Sequence, residues 1–201
     1  MITIVDLNTG NLASVKNMLM KLNCQSCITS KPDEIASATK IILPGVGSFN
    51  EGMKNLKELN LEHILHEKVM VQKTPTLGIC LGMQLLCKSS EEGNEPGLGF
   101  IDAAVLRFPD SINLRIPHMG WNVVTSKRQT LLSSSLVNPR FYFVHSYYVQ
   151  LNNLNDELFT TQYGLEFSSA FEHENILGVQ FHPEKSLRFG KQLLQNFIIH
   201  Y

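Results

Sequence analysis

Short apolar runs that alternate with amphipathic segments dominate the first hundred residues of this chain. Residues 2–5, 40–43 and 75–79 are typical of buried strands, whereas residues 11–22 carry apolar side chains at helical spacing. A second helical region is predicted at 51–71, with a break near Asn60. Strand and helix alternation of this kind predicts a parallel sheet with helices on both faces.

Shorter elements complete the predicted pattern. They are a strand at 24–28, a helix near 32–36, strand-like segments at 101–108, 122–125, 141–151, 165–171 and 176–181, and a final helix at 186–200. The second half is therefore expected to be partly antiparallel. No repeat or low-complexity linker interrupts the chain, so we expect a single α/β domain over residues 1–201, with a mixed, mostly parallel central sheet and flanking helices.

The segment Gly78-Ile79-Cys80-Leu81-Gly82 lies between a predicted strand and a predicted helix at 83–87. A sharp strand-to-helix turn around a nucleophile requires small residues on both sides, and glycine supplies them. The turn places the Cys80 sulfur at a helix N-terminus, which favours a thiolate. The alternative is a buried cysteine that happens to lie between two loop glycines.

His182 and Glu184 follow the last predicted strand, and Pro183 between them cannot continue a sheet. In an extended chain residues two apart point to the same side, so the carboxylate is expected to orient the imidazole. Cys80, His182 and Glu184 then form a nucleophile, base and orienting group. A solvated surface turn is the alternative for the His-Pro-Glu segment alone.

The loop Pro44-Gly45-Val46-Gly47 follows the strand at 40–43. Its glycines permit unusual backbone angles, so N–H groups of Val46 or Gly47 are expected to face a developing oxyanion, together with the N–H of Leu81. An ordinary strand-to-helix turn is the alternative. A phosphate-binding loop is disfavoured because no Gly-Lys-Ser/Thr follows.

Composition excludes several classes of function. A net charge of -1 offers no electrostatic footprint for nucleic acid. No run approaches the roughly 20 apolar residues of a membrane span and no leader is evident, so a cytoplasmic protein without a membrane partner is expected. Cys24 and Cys27 form a C-x-x-C pair without a second ligand pair, so we expect neither a metal site nor a cofactor.

The segment from Gly78 to Gln84 and the His182-Pro183-Glu184 segment together resemble class I (triad) glutamine amidotransferases. Four further segments, 44–47, 117–122, 142–147 and 180–186, are similar to the glutaminase subunits of imidazole glycerol phosphate synthases, and the resemblance spans essentially the whole chain. It implies a flavodoxin-like amidotransferase fold. The segment from Asp6 to Asn11 departs from the family pattern, which has an aromatic residue after the aspartate.

The resemblance implies that this subunit hydrolyses glutamine to glutamate and ammonia. Ammonia then passes to a cyclase subunit, a (βα)8 barrel that forms a heterodimer with it. There it reacts with a phosphoribulosyl imidazolecarboxamide nucleotide, which yields imidazole glycerol phosphate and aminoimidazole carboxamide ribotide in histidine biosynthesis. Cys80 would attack the amide carbon, His182 would move the protons, and Glu184 would hold the imidazole.

The resemblance also suggests residues around the triad. Gly45, Gln84, Glu92 and Ser146 would line the glutamine site. The interface with the cyclase subunit and its ammonia gate would include Asn11, Trp121, Tyr142 and Lys185. Family members are nearly idle until the partner binds nucleotide, which implies that the 44–47 peptide must turn before the oxyanion hole forms.

Two other functions remain open. A paralogous subunit with the same triad would supply ammonia for the amidation of a sugar nucleotide in surface polysaccharide biosynthesis. A degenerate, non-enzymatic module would only scaffold a barrel partner, and the intact triad argues against it. The sequence gives His118 and His145 no catalytic role, although both lie in family-like segments.

Overall fold

The computed structural model describes residues 1–112 and 114–201. The strands are β1 Ile2–Val5, β2 Ser26–Thr29, β3 Lys40–Gly45, β4 Thr76–Cys80, β5 Ser89–Ser90, β6 Ala103–Arg107, β7 His118–Val123, β8 Thr125–Ser126, β9 Arg140–His145, β10 Tyr147–Leu151, β11 Glu157–Tyr163, β12 Leu165–His173 and β13 Ile176–Val179. The α-helices are α1 Leu12–Lys21, α2 Pro32–Ala36, α3 Phe49–Glu58, α4 Leu61–His66, α5 Leu81–Leu85 and α6 Leu187–His200. A π-helical turn at Glu67–Val71 follows α4.

Within the described residues, a large mixed sheet forms the centre of the fold. Its strands run in the order β2-β1-β3-β4-β13-β12-β10-β6-β5, and β11 pairs with β12 and β8. The five strands from β2 to β13 are parallel to one another, whereas β12, β11, β10 and β8 join through antiparallel pairs. The predicted α/β class, with a mixed and mostly parallel sheet at its centre, is confirmed. β7 and β9 form a separate antiparallel pair.

Both faces of β1, β3, β4 and β13 are buried, which explains why these parallel strands read as apolar runs. Ile41 and Leu43 of β3 belong to one apolar layer, and Ile42 between them belongs to the other. Helices α3 and α4 cover the first layer, while α1 and α6 cover the second together with Phe141 and Phe143 of β9. The parallel part of the sheet is therefore covered on both faces, which leaves the ends of its strands for a site.

The register of the central strands brings three strand ends together. Gly45 at the end of β3 is opposite Cys80 at the end of β4, and Val179 at the end of β13 is opposite Ile79. Because all three strands are parallel, their carboxyl ends meet at one edge, where ligands bind in open α/β sheets. Cys80 and the residues that follow β13 are thus neighbours by topology.

Several predicted elements differ from the structure. The strand predicted at 141–151 is wrong as a single element, because Ser146 separates β9 from β10 and the two strands belong to different sheets. The strand predicted at 122–125 covers the end of β7, which begins earlier, at His118, and the start of β8, and strand β11 was not predicted. The elbow helix begins at Leu81 rather than Met83. The strand differences depend on long-range pairing that local periodicity does not specify.

Across residues 1–112 and 114–201, the helices are all too short or too polar to cross a bilayer.

Candidate active site

Cys80 adopts a backbone conformation that few non-glycine residues accept. Its φ is 54° and its ψ is -111°, at the point where β4 ends and α5 begins. A side chain in such a sparsely populated region costs on the order of 1–3 kcal/mol, and strained residues of this kind cluster at functional sites. The turn leaves the Cys80 side chain 7% exposed, at the edge of the sheet.

The two glycines of the elbow are required by close packing. A Cβ at Gly82 would lie 1.7 Å from the carbonyl oxygen of Leu43, and one at Gly78 would lie 2.8 Å from the Gly82 carbonyl. No side chain fits either gap, because the obstructing atoms belong to the backbone. The glycine pattern predicted from sequence therefore has a physical basis in the contacts of α5 with β3 and β4.

His182 and Glu184 make a buried hydrogen bond. His182 Nδ1 lies 2.8 Å from Glu184 Oε1, and both side chains are almost fully buried. The backbone between them is a 3-10 turn at Pro183–Lys185 rather than the extended chain that was predicted, since Pro183 starts a helical turn readily. The backbone N–H of His182 donates to the Tyr142 carbonyl at 2.9 Å, which holds the turn against β9.

Opposing effects act on the pKa of the His182 imidazole. Burial alone lowers the pKa of His182, but hydrogen bonds and charge interactions with Cys80 and Glu184 raise this pKa well above its usual value. His182 Nε2 does not face Glu184, and it is the ring nitrogen left to interact with the Cys80 sulfur. The arrangement favours a protonated imidazole next to the Cys80 sulfur.

Gln180 is a functional candidate that the sequence interpretation missed. Its side chain is fully buried, and its Nε2 donates to Cys80 Sγ at 3.7 Å. Gln84 Nε2 donates in turn to Gln180 Oε1 at 3.0 Å and to the carbonyl of Tyr147 at 3.3 Å. A polar residue inside the apolar run 176–181 was the available signal, because a buried amide requires partners.

The predicted oxyanion loop is partly strand. Pro44 and Gly45 belong to β3, so the loop proper is Val46 and Gly47. Gly47 has a φ of +106°, and a Cβ built on it meets no atom within 4 Å. Gly47 therefore has conformational freedom and open space on the side where a side chain would project.

A cavity of about 310 Å³ joins most of the predicted site residues. Its lining includes Val46, Gly47, Cys80, Gln84, Glu92, Ser146 and His182, together with Pro117, Val144, His145 and Tyr147, for which no role was predicted. Glu92 Oε2 also accepts the N–H of Phe49 at 2.7 Å, which fixes its carboxylate at the start of α3. Gly45 and Leu81 do not line this cavity; Gly45 packs against Leu81 instead.

The four predicted interface residues form two groups that share Lys185. Trp121 and Tyr142 face each other across β7 and β9 with ring centroids 6.3 Å apart, and Lys185 Nζ lies 5.8 Å from the Tyr142 ring centroid. Trp121 remains 46% exposed. Asn11 lies with Lys185 and Glu184 around a much smaller cavity behind Val46.

The remaining cysteines do not line this cavity. Cys24 and Cys27 are half-buried free thiols, and burial raises the pKa of Cys24. Cys87 is fully buried, which raises its pKa far above the usual range. In the part of the chain that the structure describes, no group of three or more His, Cys, Asp or Glu side chains is arranged to hold a metal ion.

Comparisons with known proteins agree with this geometry. The family model of class-I glutamine amidotransferases matches residues 3–201. Imidazole glycerol phosphate synthase subunit HisH 2 of Methanococcus maripaludis is 55% identical over 199 residues, and the HisH 2 subunit of Pseudomonas aeruginosa is 44% identical over 199 residues; each alignment covers 98% of both chains. A solved glutamine amidotransferase has a TM-score of 0.75 at 19% identity over 98% of this chain and 96% of its own, and so shares the fold. The chain therefore belongs to the class-I glutamine amidotransferase family, among the HisH subunits of imidazole glycerol phosphate synthase.

Proposed function

We propose that this chain is the glutaminase subunit of an imidazole glycerol phosphate synthase, which hydrolyses L-glutamine to glutamate and ammonia for use by a cyclase subunit. The observation that carries the proposal is the convergence of Cys80, His182 and Glu184 at adjacent strand ends, beside a cavity. The full-length similarity to HisH subunits supports the pathway.

The proposed reaction has two stages. The Cys80 thiolate attacks the side-chain amide carbon of glutamine, and the His182 imidazolium gives its proton to the departing ammonia. This leaves a glutamyl thioester on Cys80. Neutral His182 then takes a proton from water, whose oxygen attacks the thioester, and the thiolate leaves to release glutamate. Glu184 keeps the proton on Nδ1 of His182, so that Nε2 faces the sulfur in both stages.

Oxyanion stabilisation in this scheme requires two N–H donors. The Leu81 N–H follows the nucleophile directly, as in other nucleophile elbows. The second donor is the N–H of Val46 or Gly47. The free space around Gly47 supports a peptide rotation that presents this donor only when the partner is engaged.

Glutamine recognition is assigned to polar groups of the cavity. Gln84 donates both of its known hydrogen bonds through Nε2, which leaves Oε1 free to accept from the substrate. The Glu92 carboxylate suits the α-ammonium group, and Ser146 lines the same wall. Gly45 contributes by letting Leu81 approach β3 closely.

The proposed partner is a cyclase subunit with a (βα)8 barrel, bound as a heterodimer. Trp121, Tyr142 and Lys185 form a mixed aromatic and basic cluster that adjoins His182, whose backbone N–H donates to the Tyr142 carbonyl, and Asn11 lies near Lys185. Aromatic residues are enriched in interface hot spots. Ammonia released at Cys80 would leave past this surface.

A second function is retained because two of the similar subunits carry the number 2 in their names, which indicates more than one copy in those organisms. One copy suffices for histidine biosynthesis. A paralogue with the same triad would deliver ammonia to amidate a sugar nucleotide for surface polysaccharide.

Two assays test these functions. Purified chain is assayed for glutamate release with and without the candidate cyclase subunit and its nucleotide, and a large partner-dependent increase is expected. Absence of glutaminase activity under all conditions would leave only the scaffold hypothesis. Expression in a histidine auxotroph that lacks its own glutaminase subunit separates the pathways: growth without histidine supports the first function, and failure by an otherwise active complex favours the paralogue.

A further inference from the structure

Two buried histidines on neighbouring strands are hydrogen-bonded to each other. His118 of β7 is directly opposite His145 of β9, and His118 Nδ1 lies 2.9 Å from His145 Nε2. Both residues are almost inaccessible to solvent. The proposed mechanism uses neither, although both come from segments that resemble the family.

The direction of this hydrogen-bond chain is fixed at one end by a carbonyl. His145 Nδ1 lies 2.7 Å from the Tyr147 carbonyl oxygen, which can only accept, so the proton of neutral His145 is on Nδ1. His145 Nε2 must then accept, and His118 Nδ1 must donate to it. His118 Nε2 is left as an acceptor and faces the amide nitrogen of Asn122 at 3.3 Å. All four ring nitrogens of His118 and His145 therefore have a hydrogen-bond partner when both rings are neutral.

The surroundings favour neutral rings in fixed orientations. His118 is stacked between Phe143 and Tyr163, with centroids 4.8 Å and 4.0 Å away. Burial lowers the pKa of His118 to about 4 and that of His145 to about 3. His145 also interacts electrostatically with His182, so a proton on His145 would disfavour the protonated triad histidine.

The chain of hydrogen bonds from His118 through His145 ends at Tyr147, in the wall of the candidate glutamine cavity. The Tyr147 carbonyl that accepts from His145 also accepts from Gln84 Nε2, and both Tyr147 and Gln84 line the cavity. If His145 lost its partner, its ring could turn, and the carbonyl would lose a donor that fixes its direction. The position of the Gln84 amide depends on that carbonyl.

We propose that His118 is a positioning residue for glutamine binding, which acts through His145 to orient the Tyr147 carbonyl and the Gln84 side chain. This inference rests on the proposed glutaminase function. It accounts for the pairing of two family-like segments, 117–122 and 142–147, that the triad chemistry does not explain.

A matched pair of substitutions separates hydrogen bonding from packing. His118→Asn keeps an N–H close to the position of Nδ1 but loses the stacked ring, whereas His118→Phe keeps a stacked ring and loses the donor. In the complex with the cyclase subunit, His118→Phe is expected to raise the KM for glutamine about fivefold, the effect of one lost hydrogen bond, with kcat within about twofold. His118→Asn is expected to keep a KM near that of the wild type.

The positioning role would be overturned if His118→Asn raised the KM for glutamine more than His118→Phe did. It would also be overturned if both variants raised this KM equally or if neither changed it. A wild-type complex that hydrolyses no glutamine would instead refute the proposed function. The tautomers of His118 and His145 can also be measured directly, by nitrogen-15 NMR of the histidine-labelled wild-type chain. This measurement depends neither on activity nor on whether a variant folds. Both rings are expected to carry the proton on Nδ1 at pH 7. A proton on Nε2 of either ring would overturn the proposed chain of hydrogen bonds from His118 through His145 to Tyr147.

Discussion

Replacing Glu184 with glutamine isolates what the carboxylate does for His182. The change keeps the size of the side chain and an oxygen able to accept from Nδ1 at the 2.8 Å distance seen in the structure. It removes the negative charge that, together with Cys80, raises the pKa of His182 against the effect of burial. The stability of the imidazolium is therefore changed with little change in shape.

Two possible orientations of the glutamine amide give a lower and an upper magnitude for the effect. A charge-assisted hydrogen bond exceeds a neutral one by about 1–1.5 kcal/mol, so the pKa of His182 should fall by about one unit and the rate by about tenfold. Glu184 Oε2 has no hydrogen-bond partner among the described residues, so nothing there prevents a glutamine amide from turning its N–H toward Nδ1. That turn would force the proton to Nε2, and loss of the correct tautomer costs up to about 10⁴-fold in a related triad.

The assay is the pH dependence of kcat/KM for glutamine hydrolysis in the complex with the cyclase subunit. Glu184→Gln should lower the maximum at least about tenfold and move the alkaline limb to lower pH by about one unit. Glu166→Gln, which removes an exposed carboxylate paired with Lys127, is the matched control and should leave both unchanged. A Glu184→Gln profile that overlays the wild-type profile would refute the role assigned to Glu184.

Three further outcomes are expected. Gly82→Ala should prevent stable folding or lower the free energy of urea unfolding by at least about 3 kcal/mol, because its Cβ meets a backbone oxygen. The Cβ of Gly52→Ala meets only leucine methyl groups, so this control should lose far less stability. Equal losses in the two variants would contradict the elbow packing. His118 has a pKa of about 4 in the folded chain and takes up a proton near pH 6.5 when unfolded, so the free energy of unfolding falls as pH drops from 6.5 toward 4. His118→Phe should reduce the loss of unfolding free energy between pH 7 and pH 5 by about 2 kcal/mol. An unchanged loss would contradict the pKa of about 4. Trp121→Ala should weaken cyclase binding at least about 30-fold in calorimetry, while Leu154→Ala, also exposed, should not; equal affinities would remove Trp121 from the interface.

The elbow and the parallel half of the sheet could be predicted from sequence because their signals are local. Two glycines flank Cys80 within the same few residues, the proline after His182 marks the end of a strand, and buried parallel strands read as apolar runs. Where these strands lie relative to one another also follows from general rules of α/β topology.

The rest of the site depends on contacts between distant segments. Pairing of β7 with β9 joins His118 to His145 across 27 positions, and Gln180 reaches Cys80 and Gln84 across about a hundred. Period-two patterns do not identify partner strands, which is why residues 141–151 read as one strand. Buried polar residues in apolar runs were the signal left unused, since each of them needs a partner.

The most direct test of the central claim, that Cys80 generates ammonia for a partner enzyme, is the nitrogen source used by a complex that contains Cys80→Ala. Product formation by the cyclase subunit is measured with glutamine and, separately, with ammonium salts. The account predicts that glutamine no longer supports the reaction while ammonium supports it at the wild-type rate. Glutamine-dependent turnover that persists in Cys80→Ala would contradict it.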